Sequence, residues 1–169
     1  VNLAIWMQTV AAAWIMTTLT TSAAMVSLVQ TAVTLPVFLF AFPGGVIADR
    51  VDRRSWLIIT QCMMLFAALV LCVLAYSAHL ETWGLLAFTF LLGTGSALGM
   101  SAWMVTMVGV LPRDQVPAAV SLNGISINAT RALGPALAGA LIAYWNTTSV
   151  FLVIALCMFA VLLFLLRIA

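Results

Sequence analysis

Gly45-Val46-Ile47-Ala48-Asp49-Arg50-Val51-Asp52-Arg53-Arg54 is the most charged stretch of this chain, and it stands between two runs with no charge at all, residues 1–48 and 55–78. Two more uncharged runs follow, 82–112 and 132–166. Each is longer than the roughly 20 apolar residues that carry a helix across a bilayer. Of the 169 residues 66% are hydrophobic and only 6% charged, with six arginines, no lysine and four acids. A soluble domain carries about 25% charge, so this composition could not clothe a water-facing surface. A soluble enzyme, a nucleic-acid binder and a disordered segment are excluded. The composition predicts an all-α integral membrane protein.

Length bounds the helix number. At roughly 20–25 residues per span plus short turns, the chain holds about six helices and nothing beyond them. The apolar runs and turn signals predict spans at 1–18, 23–48, 56–77, 83–111, 115–144 and 149–166, one transmembrane bundle over residues 1–169. The chain opens directly on apolar sequence, Val1 to Trp14, without a basic leader or a cleavage pattern, which suggests a true start further upstream. Cys62, Cys72 and Cys157 all fall inside apolar runs, where a thiol behaves as a small hydrophobe. An odd number with no CxxC pair points to neither a disulfide framework nor a metal site.

Arginine placement sets the expected topology. The turns near 19–22, 78–82 and 145–148 hold none, whereas Arg50, Arg53, Arg54, Arg113 and Arg167 lie in the other turns and at the C-terminal end. Basic residues stay on the cytoplasmic side, so both ends of the chain are predicted there, in a cell membrane. His79, beside Glu81 in an outer turn, reads as a solvated loop residue. Trp56, Trp83 and Trp145 mark span ends as interfacial anchors, and Trp6, Trp14 and Trp103 lie nearer the middle.

Arg131 is the most expensive residue, because it sits deep in the fifth span, where insertion costs about 2.5–3.5 kcal/mol. At helical spacing around it come Ser121, Gly124, Asn128, Pro135 and Ala138, a stripe of small or polar side chains that belongs in an interior or a water-filled cavity. Arg131 and Asn128 are therefore candidate cavity residues for an anion, a substrate or a coupling proton. The competing reading is an arginine capped by backbone carbonyls that locks two helices together. Gln30 and Thr34, one turn apart on the second helix, and Gln8 on the first are the other cavity candidates, against a plain role in interhelical hydrogen bonds. No Asp or Glu lies within a span; Asp49, Asp52, Glu81 and Asp114 are all in or beside turns. A carboxylate for proton coupling must then lie outside this chain, or coupling must run another way.

Small residues at Gly95-x-x-x-Gly99 and Ala97-x-x-x-Ser101 let helix backbones approach closely and predict a central fourth helix. The sixth span has no hydrogen-bonding side chain beyond a thiol from Val150 to Leu166 and is expected to face lipid. Asp114 is the expected cap of the fifth helix. The 49–54 turn reads as an ion-pair latch between helix bundles, with Asp49 meeting a helix N-terminus or an arginine and Arg53 reaching Asp114.

The run Gly45 to Arg54 resembles the signature loop G-x-L-a-D-r-x-G-r-R/K of the major facilitator superfamily, which joins its second and third helices. Gly45, Ala48, Asp49, Arg50, Arg53 and Arg54 match, Ile47 replaces leucine and Asp52 replaces the second glycine. Leu35-Pro36, Leu111-Pro112-Arg113 and Arg131-Ala132-Leu133-Gly134-Pro135 add a similarity to its bacterial efflux branch, the enterobactin-exporter-like and macrolide-efflux-like carriers. The resemblance covers the whole chain as helices one to six. It implies six transmembrane helices forming the N-terminal half of a twelve-helix fold with alternating access. Helices one, two, four and five then lie near the cavity and three and six at the periphery. It also implies a latch of Gly45, Asp49, Arg50, Arg53, Arg54 and Asp114, and a hinge at Gly134 and Pro135 on helix five. Leu91 stands where the family's fourth-helix arginine is expected, and Ser121, Thr130 and Ala138 stand where its fifth-helix glycines are.

The resulting expectation is a secondary transporter, not an enzyme, exporting small amphipathic organic compounds. Its expected partners are a small-molecule substrate, the lipid bilayer and a C-terminal six-helix half that this chain lacks; no cofactor or metal is expected, though proton coupling is compatible. The alternative is a six-span scaffold or accessory subunit without transport activity.

Overall fold

The computed structural model describes residues 1–167, apart from the side chains at positions 41, 48–50, 101, 105, 107, 108 and 110. The described residues form helices and no strand: α1 (Asn2–Leu19), α2 (Ala23–Arg50), α3 (Arg53–Tyr76), α4 (Thr82–Val110), α5 (Val116–Tyr144) and α6 (Thr147–Arg167). The five helices from α2 to α6 are long and apolar enough to cross a membrane. α1 is shorter and carries Asn2, Gln8, Thr9, Thr17 and Thr18.

The turn chemistry differs from the sequence expectation at two helix starts. α3 begins at Arg53 rather than 56, because Asp52 is its N-cap and not a free member of the charged turn: its carboxylate accepts from Ser55 N and Ser55 Oγ, both at 2.8 Å. The Ser55 backbone N–H, and then its hydroxyl, hold the Asp52 carboxyl below its ordinary value. Asp114 does not cap α5; Gln115 stands at the N-cap without a side-chain bond, and Pro117 occupies the first turn, where its missing N–H costs nothing. At α6 the Asn146 side chain accepts from Ser149 N at 2.9 Å.

Packing runs along a chain of neighbours. α2 lies along α4, α3 lies between α4 and α6, and α1 lies along α5 and α6 while also reaching α2 and α4. Lipid tails are as apolar as leucine, so helices associate through close packing, which small residues permit. Ala4, Ala11 and Ala12 on α1 and Ala67 and Ala68 on α3 are buried for that reason. The predicted small-residue face of α4 is used against α3: a side chain at Gly95 would strike Met64, and one at Gly99 would meet Thr60 Oγ1 at 3.3 Å. Gly93, two residues before Gly95 and so on another face, meets α2, where an added Cβ would lie 2.9 Å from the Val33 carbonyl and 3.1 Å from that of Ala32. The Ala32 carbonyl has lost its own helical donor, since Pro36 has no N–H.

α6 corrects the lipid-facing expectation in part. Val150, Phe151, Ile154, Ala155 and Met158 are buried, and Leu152, Leu156, Leu163 and Phe164 on the other side are exposed. Gln61 of α3 reaches across and donates to the Met158 carbonyl at 2.9 Å.

Candidate functional site

Among the described residues, α2 and α5 make no contact with each other. α1 touches both, so an open trough has α1 as its floor and α2 and α5 as its walls.

The α5 wall is fixed by Gly134. An added Cβ there would lie 2.5 Å from Trp6 Cβ and 3.4 Å from the Leu3 carbonyl, so glycine sets the close approach of α5 to α1. Ala138, one turn on, is fully buried. One turn back, the Arg131 guanidinium lies over the Trp6 ring, with Cζ 5.3 Å from its centroid, within the range of a cation–π contact. Pro135 lacks an N–H, so the Arg131 carbonyl, four residues earlier, has no donor from its own helix. α5 nonetheless runs unbroken through Gly134 and Pro135 to Tyr144. Arg131 itself is exposed, as are Asn128 and Ser121 on the same stripe.

The α2 wall carries Ser27, Gln30, Thr31 and Thr34, all exposed. Their hydroxyls turn back on their own helix: Ser27 to the Ala23 carbonyl at 3.0 Å and Thr34 to that of Gln30 at 2.9 Å. Ser121 and Asn128 do the same on α5, at 2.9 Å each. A polar side chain without a neighbour satisfies itself this way. Gln30 and Thr34 are exposed on α2 and make no hydrogen bond to Arg131 among the described residues.

Gln8 is elsewhere. It is 3% exposed and donates to Thr89 Oγ1 at 3.2 Å, inside the junction of α1, α2, α4 and α6. Its Oε1 has no hydrogen-bond partner, and the residue borders a small void of about 10 Å³. The structure removes it from the open side and makes it an interior contact.

The side chains of Asp49 and Arg50 lie outside the described residues. Of the other latch residues, Arg54 donates to the Leu166 carbonyl at 3.4 Å, tying the start of α3 to the end of α6. The Arg53 guanidinium sits against Gly109, where a Cβ would meet Nη1 at 3.1 Å, and forms no hydrogen bond with Asp114 among the described residues. Gly45 has open space around it, and Asp114 is exposed.

Sequence reasoning missed Trp6 as the support of Arg131, Thr89 as the partner of Gln8, and Gln61. The last two could have been found as lone polar residues in long apolar runs. No linear signal joins Trp6 to Arg131.

A multi-pass helical membrane protein with an open polar trough is the class that this geometry defines. The family of transmembrane secretion effectors matches the chain over residues 1–169, and the chain belongs to it as the N-terminal half of a major facilitator superfamily transporter. It is 27% identical over 159 residues to the staphyloferrin A transporter of Staphylococcus aureus, covering 94% of this chain and 40% of that protein. It is 31% identical over 140 residues to the uncharacterized MFS-type transporter YfiS of Bacillus subtilis, covering 82% of this chain and 32% of that one. The chain thus spans less than half the length of these curated relatives. No solved structure matches. The family is one of membrane transporters and not of enzymes.

Proposed function

We propose that the chain is the six-span N-terminal half of a secondary active transporter that exports small amphipathic organic compounds by alternating access. The open side carries this reading: two helices that do not touch, each with exposed polar side chains, fit one side of a cavity that a second six-helix half completes. In this reading both ends of the chain are cytoplasmic, as the arginine distribution favours, and any coupling carboxylate comes from the second half. The 49–54 turn then holds one of the two bundle arrangements and lets go in the other.

The test uses the full-length protein with its native cysteines replaced and Asn128→Cys introduced. A membrane-impermeant thiol reagent is expected to reach this position from one side in one state and from the other side after substrate addition. A cysteine there that water-borne reagent never reaches would place the stripe against lipid or in a dry interface and overturn the proposal. Asp49→Asn is expected to abolish export with insertion unchanged, read by efflux and by membrane abundance.

A further inference from the structure

We infer that the Arg131 guanidinium, propped on Trp6 in the trough, is the counter-charge for a carboxylate-type oxyanion on the transported molecule. The inference rests on the transporter reading and names the substrate class for its central site.

Four observations converge on it. First, the charge is at mid-membrane depth: Arg131 lies near the midpoint of α5 (Val116–Tyr144), about 20 Å along the helix from either end. Trp6 and Arg131 also stand equally far from the last residues of α1 and α5, Leu19 and Tyr144, so the pair is at one level. Second, the guanidinium has no counter-charge in this half. Every acid of the chain is in or beside a turn, and among the described residues Arg131 makes no hydrogen bond. Third, the guanidinium lies over the Trp6 ring, and the close approach at Gly134 holds Trp6 beside α5. A guanidinium held by a ring's face still has N–H donors for a ligand, and its fork matches a carboxylate in two parallel bonds. Fourth, the neighbours suit the rest of such a molecule. The Arg131 carbonyl, without a helical donor because of Pro135, accepts from a hydroxyl or amide, and exposed Asn128 lies one turn below. An apolar ring beside a charge suits an amphipathic acid.

A lipid phosphate is the other common source of an oxyanion. Headgroups stand about 15 Å from the bilayer centre, half of a ~30 Å core, and do not reach this level. A bare stack on Trp6 leaves five donors unmet, which is why a ligand and not the ring is assigned as the partner.

The test is export by the full-length protein from cells loaded with matched pairs of fluorescent probes, dansyl-amino acids with a free carboxylate and the same compounds as neutral amides. Wild type is expected to export the acids at least about tenfold faster, the scale of one charge-assisted pair. Arg131→Gln should bring the acid-to-amide ratio of export rates to about one, and Arg131→Lys should restore only part of the preference, since an ammonium lacks the fork. Trp6→Leu, a positioning change, should weaken the acid preference and Trp6→Tyr should keep it. Equal loss for acids and amides in Arg131→Gln would make the arginine a structural tie, such as an ion pair with the second half, and overturn the inference. So would an unchanged preference. Wild-type export of amides alone sinks the oxyanion and spares the transporter; export of no probe by wild type counts against both.

Discussion

The α3–α6 side of the bundle and the α2–α5 side are built from similarly apolar sequence, yet they treat polar groups in opposite ways. In the closed interior, buried polar side chains reach other helices: Gln61 of α3 to the Met158 carbonyl of α6 and, where α1 meets α4, Gln8 to Thr89. On the open side Ser27, Thr34, Ser121 and Asn128 bond only to their own helix, and Arg131 rests on an aromatic ring. A polar group inside a membrane must be satisfied from somewhere. The first side is finished; the second is satisfied provisionally, in a form that exchanges readily for water, ligand or a second half.

The largest expected effect that tests this contrast comes from glycines. Gly93→Val should cost the fold heavily, because its Cβ meets two backbone carbonyls of α2 that cannot step aside. Gly139→Ala, with nothing within 4 Å, should leave the melting temperature in detergent unchanged or slightly raised. Equal losses at both positions would mean that the open face is packed after all. Next, Phe151→Ala on the closed side should destabilise by roughly 2 kcal/mol, the cavity part of the usual Phe→Ala cost. Phe38→Ala, 84% exposed on α2, should do nothing to the isolated half in the same thermal assay.

Smaller still, Thr89→Val should cost about 1–2 kcal/mol by leaving the buried Gln8 amide unpaired, and Gln8→Leu added to it should recover most of that loss. A double-mutant cycle in chemical denaturation reads the coupling, and strict additivity would contradict the bond. The least effect concerns Asp52. Its folded carboxyl titrates below the ordinary 3.8, so the cap contributes stability above that value and loses it as pH falls through the lowered one. Acidification below about pH 4 should therefore loosen the first turn of α3 in wild type, read by amide exchange. Asp52→Asn should show no such step.

Much of this was legible in advance, for physical reasons that can be traced residue by residue. The uncharged runs gave all-α membrane architecture, because a bilayer leaves a backbone few other ways to satisfy its N–H and C=O groups. The cost of Arg131 marked the α5 stripe, and Gly95 and Gly99 marked a packing face on α4. Gln8 was misplaced because a glutamine at helical spacing has the same signature whether it meets a cavity or Thr89. Asp52 looked like part of an ionic clasp, since proximity of charges in sequence does not reveal that Ser55, three residues on, takes the carboxylate. α6 looked wholly lipid-facing because in a membrane the buried and lipid faces have the same apolar composition.

Sequence alone determined the solvent, the class and the family of this protein, since hydrophobic length and charge spacing act locally along the chain. Tertiary structure alone decided which polar groups are closed off and which stay open. That choice depends on Gly93 and Gly134 drawing helices together across long sequence separations, and on α1 keeping α2 and α5 apart.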